Sequence, residues 1–194
     1  MPLSLLPALL LQILIVGYTP GPANIYALTM AVKHGKNHAL RAWVGLFAGF
    51  TLAAVVLVFL IHFIGGMLGA YIVWLKYLGA LYLLWLALKT WHTGIGQSGR
   101  ESCSFLSGFA LQLTNAKMLL FELSVYSSFV LPYSSSLVDL IKMIPLMWLA
   151  GPVANLVWLL AGNGMRGLFA KYGQQIDIAA ALALATCAVF VAFL

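Results

Sequence analysis

Two short constellations carry groups able to do chemistry in a chain that is otherwise overwhelmingly apolar. The first is Thr19-Pro20-Gly21-Pro22, followed by Asn24. Two prolines remove two backbone donors and clash with the turn before them, and Gly21 can adopt dihedrals that other residues resist. A helix written through these residues must break or kink. Irregular backbone inside a bilayer survives only where protein or a wet cavity satisfies its freed carbonyls, and transporters place substrate at such breaks. One proline would read as an ordinary kink, whereas four consecutive break-prone residues read as a binding site.

The second constellation is Asn115-Ala116-Lys117, with Glu122 following. At 1.5 Å per residue Lys117 lies about 25 Å of helix from Arg100 and about 22 Å from Pro132, which places it near the middle of a membrane-spanning segment. Insertion of a lysine at that depth costs roughly 2.5 to 3.5 kcal/mol, so a cavity-facing ammonium is the expected arrangement. The alternatives are an ammonium that snorkels to an interface and one that only bonds backbone carbonyls freed by the first break. Glu122 is five residues on, a rotation of about 140°, and so does not share a face with Lys117. It must find a donor on another helix, reach water, or stay neutral. A neutral buried acid is a candidate proton relay, with a plain structural hydrogen bond as the alternative.

The elements that position these groups follow from composition. Of the residues, 63% are hydrophobic and 7% charged, and the mean hydropathy is +1.03. That leaves too little polar surface to cover a water-soluble globule. Apolar runs cover 3–32, 42–64, 67–90, 105–131, 140–163 and 175–194. With about 20 residues needed per span, the expectation is an all-α, polytopic membrane bundle of six transmembrane helices, the first broken at Thr19–Pro22. The chain reads as a single transmembrane domain, 1–194. The first run has no Lys or Arg before it and no small-residue cleavage pattern after it, and is read as retained.

Basic residues set the orientation, because Lys and Arg near helix ends favour the cytoplasmic side. Lys33, Lys36 and Arg41 fall at the first connection, Lys89 and Arg100 flank the third, and Arg166 and Lys171 fall in the fifth. The opposite side has Lys142 and Lys76, so both termini are expected outside the cytoplasm. The net charge of +6 is thus topological, and its dispersal over membrane-flanking loops argues against nucleic acid as a partner. Trp91 and Tyr133 sit at expected water boundaries, while Trp85 and Trp158 read as ordinary bundle or lipid-facing residues.

Cys103 and Cys187 are too few and too far apart for a disulfide or metal framework, and His62 has no companion at ligand spacing. No metal or cofactor is expected. The acids Glu101, Glu122, Asp139 and Asp177 form no intramembrane protease constellation, so the chain does not read as an enzyme. Gly45 and Gly49 are spaced for close helix approach, read as contact within the bundle rather than as a dimer interface. Gly151-Pro152, with Asn155, is a third interruption, which either kinks the fifth run toward the same cavity or serves packing alone. Positions 19–20 and 115–116 lie 96 residues apart, each in the first helix of a three-helix half. Halves 1–97 and 98–194 would then form a 3+3 inverted repeat with both interruptions at the midplane.

These residues resemble the lysine exporter (LysE) superfamily, in its homoserine/threonine efflux family. Thr19-Pro20-Gly21-Pro22-Ala23-Asn24 resembles the first-helix signature, and Leu75-Lys76-Tyr77-Leu78-Gly79-Ala80-Leu81-Tyr82-Leu83 the third-helix pattern. Gly108-Phe109, Asn115-Ala116-Lys117 and Phe129-Val130-Leu131-Pro132 resemble the fourth helix, where the family usually has Asn-Pro-Lys. Ala116 therefore departs from the pattern, as does Phe50, where many members have an acid. Gly49-Phe50, Phe109-Ala110-Leu111-Gln112, Leu160-Ala161-Gly162 and Tyr172-Gly173 are similar to the branch exporting cysteine and O-acetylserine. The resemblance implies a secondary transporter that moves a small amino acid out across the bacterial inner membrane by alternating access. Homoserine, threonine or another neutral amino acid is the alternative cargo, and a non-saturable channel or membrane assembly subunit the alternative class. The site residues implied are Thr19, Pro20, Gly21, Pro22, Asn24, Asn115 and Lys117 for substrate, with Glu122 for coupling to protons. The zwitterion's carboxylate would meet donors near Thr19 and Asn24 together with Lys117. Its ammonium would meet Asn115 and carbonyls freed around the prolines. Oligomeric state is open, a homodimer included.

Overall fold

The computed structural model describes residues 2–19, 21–93 and 102–164, and the separate positions 171–172, 174–175, 178–179, 181–182, 185–186 and 189. Side chains are described for a smaller set, which omits 64–80. Pro20, Arg100, Glu101, Arg166, Gly173, Asp177 and Cys187 lie outside the described residues, as does most of the expected sixth span.

Every regular element among the described residues is helical. Helix α1 (Leu6–Tyr18) follows a 3₁₀ turn at Leu3–Leu5 and carries Pro7 in its first turn. Thr19, with φ −68° and ψ 148°, is extended, as a residue before proline must be. Gly21 precedes the next proline and is extended as well (φ −161°, ψ 172°), and Pro22 then opens α2 (Pro22–His34) from the position where a missing N–H costs nothing. The two helices meet at 49°. Gly35, at φ 81°, ends α2 in a conformation that favours glycine, with Lys33 and His34 beside the last carbonyls.

Helical backbone then runs unbroken from Lys36 to Thr93 (α3). The expected connection at 65–66 falls within this helical stretch, where side chains lie outside the described set. Helix α4 (Phe105–Leu113) is capped by Ser104, whose side chain and that of Ser107 satisfy each other's backbone N–H. It stops at Thr114-Asn115, and α5 (Ala116–Val125) starts after it, so the fourth segment is interrupted although alanine replaces proline. Five residues of π-helix follow at Tyr126–Val130. Helices α6 (Leu137–Lys142), α7 (Ile144–Met147) and α8 (Pro152–Gly164) form the fifth segment, turning at Gly151-Pro152.

By length and composition, Lys36–Phe63 and Leu137–Gly162 can each cross a membrane, and Leu3–Tyr18 with Pro22–His34 makes a third if the bent pair is one span. The glycines at 45 and 49 serve contact within the chain. A Cβ at Gly45 would overlap the carbonyl of Phe105, one at Gly49 would stand 2.7 Å from that of Phe109, and one at Gly108 would overlap Ala42. Backbone thus meets backbone between α3 and α4. One apolar cluster joins Leu9 and Ile13 of α1 to Phe50, Val58, Tyr126 and Met147. A second joins Ala23, Tyr26 and Met30 of α2 to Leu46 and Leu159. The break between α1 and α2 links the two clusters.

Candidate functional site

A helix that stops leaves its last carbonyls without intrahelical partners, and burial makes each of them costly. At the end of α1 they are taken in turn. The Thr19 N–H donates to Ile15 O at 3.3 Å and the Thr19 hydroxyl to Val16 O at 3.2 Å. Asn24 Nδ2 donates to Gly17 O at 2.7 Å and to Thr19 O at 2.9 Å. Trp158 Nε1 donates to Tyr18 O at 3.2 Å. Lys117 Nζ donates to Thr19 O at 2.8 Å and to Thr19 Oγ1 at 3.0 Å.

Lys117 is 2% exposed, so its ammonium is held inside the protein. It bonds a carbonyl freed by the first break. The carbonyls of Gly17, Tyr18 and Thr19 accept from the protein's own side chains, which leaves them a weaker claim on a substrate ammonium. Gly21 lies directly against the lysine: a Cβ there would stand 2.8 Å from Lys117 Cδ and 3.0 Å from Nζ. The ammonium therefore stands beside the N-terminus of α2, where the helix dipole adds to its positive field.

A second contact fixes how α1 and α5 lie together. Gln12 Nε2 donates to Ser124 Oγ at 2.9 Å. Seven residues forward on α1, from Gln12 to Thr19, match seven back on α5, from Ser124 to Lys117, so the two helices run antiparallel. Ser124 and Lys117 share the face turned to the break, and Glu122 is turned away from it. Glu122 is 1% exposed, and neither carboxylate oxygen has a hydrogen-bond partner among the described residues. The Tyr126 hydroxyl, one turn further on the same face, is also buried without one.

Thr19, Gly21, Asn24 and Lys117 thus converge, Pro22 starts the helix beside them, and Pro20 lies outside the described residues. Asn115 instead donates to Gln112 Oε1 at 3.4 Å. Two residues of the network stood outside the sequence-derived set. Asn155 Nδ2 donates to Asn24 Oδ1 at 2.6 Å. Trp158, read from sequence as ordinary bundle or lipid-facing, caps a carbonyl of the break. Their signal was the Gly-Pro interruption followed by two hydrogen-bonding side chains three apart, on neighbouring faces of one helix.

Residues 14–193 match the sequence profile of the LysE type translocators. The chain belongs to that family. This LysE type translocator is 34% identical over 188 residues to the cysteine/O-acetylserine efflux proteins of Escherichia coli (strain K12) and Shigella sonnei (strain Ss046), covering 96% of each chain. No solved structure matches it. Membership extends across both interruptions and all three segments that meet at the site.

Proposed function

We propose that this translocator exports small amino acids, of the cysteine and O-acetylserine type, out of the bacterial cytoplasm as a secondary transporter. The full-length similarity to cysteine/O-acetylserine efflux proteins supports the substrate class. The observation that carries the mechanism is a buried lysine bonded to main chain at a helix break, Lys117 Nζ to Thr19 O at 2.8 Å. A zwitterion in a low-dielectric site needs both charges satisfied together. Its carboxylate lies against the N-terminus of α2, with Lys117 as counter-charge and Thr19, Gly21, Pro22 and Asn24 as the wall. Binding competes with Thr19 for the lysine, so substrate loosens the link between α1 and α5, and that release is the step toward the alternate-access state.

In this reading the chain is multi-pass in the inner membrane with both termini periplasmic. The bent pair α1–α2 is one interrupted span. Residues 36–93 supply two, joined at the connection expected near 65–66, because 58 helical residues reach about 87 Å and are too long for one crossing of a core of about 30 Å. The antiparallel match of α1 with α5 is what an inverted repeat of the two halves requires. Coupling to protons runs through Glu122, whose buried oxygens have no hydrogen-bond partner among the described residues and face away from Lys117.

The test is uptake of radiolabelled cysteine or O-acetylserine into everted vesicles. The wild type gives saturable uptake and Lys117→Ala abolishes it at normal expression. Unchanged uptake by Lys117→Ala removes the lysine from the mechanism, and flux that never saturates and ignores the proton gradient points to a pore.

A further inference from the structure

An amino acid's ammonium needs a buried acceptor that the protein has not already used. The carbonyls of the α1 end have donors from Asn24, Trp158 and Lys117, so the acceptor must be sought among the side chains that hold the break. Amide groups are ambiguous in principle, since their oxygen and nitrogen exchange on a flip. Here the backbone removes the ambiguity. The atom of Asn24 that meets Gly17 O and Thr19 O faces two carbonyls, which only accept, so it is the nitrogen. Asn24 therefore presents its oxygen to Asn155, and the atom of Asn155 that meets it at 2.6 Å is also the nitrogen. What remains is Asn155 Oδ1. It belongs to a residue with 0% exposure and has no hydrogen-bond partner among the described residues.

Asn115 Oδ1 is likewise without a partner among the described residues, but its side-chain nitrogen donates to another amide, that of Gln112, at 3.4 Å. Flipping both amides exchanges donor for acceptor there at little cost. No such exchange is open to Asn155, because it would set two oxygens against each other at the Asn24 contact. Asn155 is thus a fixed acceptor, linked through Asn24 to the carbonyl that Lys117 also bonds.

We propose that Asn155 is a substrate-binding residue whose amide oxygen accepts the α-ammonium of the transported amino acid, making the translocator selective for cargo with a free amine. The assignment rests on the exporter reading above and adds the second pole of the zwitterion site. Lys117 and the N-terminus of α2 hold the carboxylate, and Asn155, on α8, holds the amine. Because α8 packs along α2, occupancy of both poles ties the fifth segment to the two halves of the first.

The experiment uses the purified full chain in proteoliposomes, with radiolabelled cysteine and, as competitor, either unlabelled cysteine or 3-mercaptopropionate, the same molecule without its amine. The wild type should prefer cysteine by about 100-fold, the range of a lost hydrogen bond to a charged group. Asn155→Leu should bring that preference below about tenfold. A role confined to holding Asn24 in place lowers transport of both compounds alike and leaves their ratio at the wild-type value, which overturns the proposal. If Asn155→Leu does not fold, the wild type still decides, since equal competition by 3-mercaptopropionate refutes an ammonium site. Absence of saturable cysteine exchange in the wild type sinks the exporter reading itself, and this assignment with it.

Discussion

Replacing Gly21 with alanine separates the position of the Lys117 ammonium from the stability of the fold. The backbone at Gly21 is extended and accepts any side chain, so the substitution carries no dihedral strain. The new methyl stands 2.8 Å from Lys117 Cδ and 3.0 Å from Nζ, against an ordinary contact of about 3.5 to 4.0 Å. The flexible lysine tip yields by roughly 1 Å, enough to stretch its bonds of 2.8 and 3.0 Å to Thr19 past useful length. Thr19 O keeps Asn24 as a donor, and alanine lowers the entropy of the unfolded chain by about 0.4 to 1 kcal/mol, so stability moves by no more than about 1 to 2 kcal/mol. Transport suffers more. Misplacing a charge-assisted bond to the substrate carboxylate costs about 1.5 to 3 kcal/mol, or roughly 10- to 150-fold in kcat/KM. Initial-rate uptake in everted vesicles, with Tm in detergent, measures both. The decisive control is Lys117→Met, in which Gly21→Ala should cost less than about twofold further, because the residue it displaces is gone. Normal transport by Gly21→Ala, or the same loss in both backgrounds, would refute the reasoning.

Three other outcomes follow from the same geometry. Glu122→Gln should abolish uptake driven by a pH gradient while sparing cysteine counterflow, and gradient-driven accumulation at the wild-type level would exclude Glu122 from coupling. Asn24→Ala should lower stability by about 1 to 3 kcal/mol, visible as a reduced Tm, because Gly17 O loses the donor it has at 2.7 Å. Cys103, in a Cys187→Ser background, should react with an impermeant maleimide in everted vesicles and not in intact spheroplasts. Burial pushes its thiol above the usual range, so labelling should be slow at neutral pH and accelerate with alkalinity as thiolate forms; labelling from the outer face would reverse the topology.

Much of the site was legible in local sterics. Prolines at 20 and 22 force their predecessors into extended backbone, and Thr19 and Gly21 are extended wherever the rest of the chain goes. The separation of Lys117 from Glu122 followed from the helical repeat. The interruption at Thr114-Asn115 was written less plainly, since Ala116 lacks the ring that enforces a break.

Partnership was the part that no local rule could supply. Lys117 reaches Thr19 across 98 residues and Asn155 reaches Asn24 across 131, and each pairing depends on how packed segments distant in sequence settle in register. A broken helix announces that its carbonyls need donors, because that need belongs to the backbone. Which side chains answer it is decided by packing: Gly17 against Ala150 and Gly162 against Leu28 let the segments approach closely enough for Asn155 and Trp158 to arrive. Apolar pattern and proline sterics therefore placed the chain in a membrane with a gap in its first helix, while only the assembled bundle selected the residues that fill it.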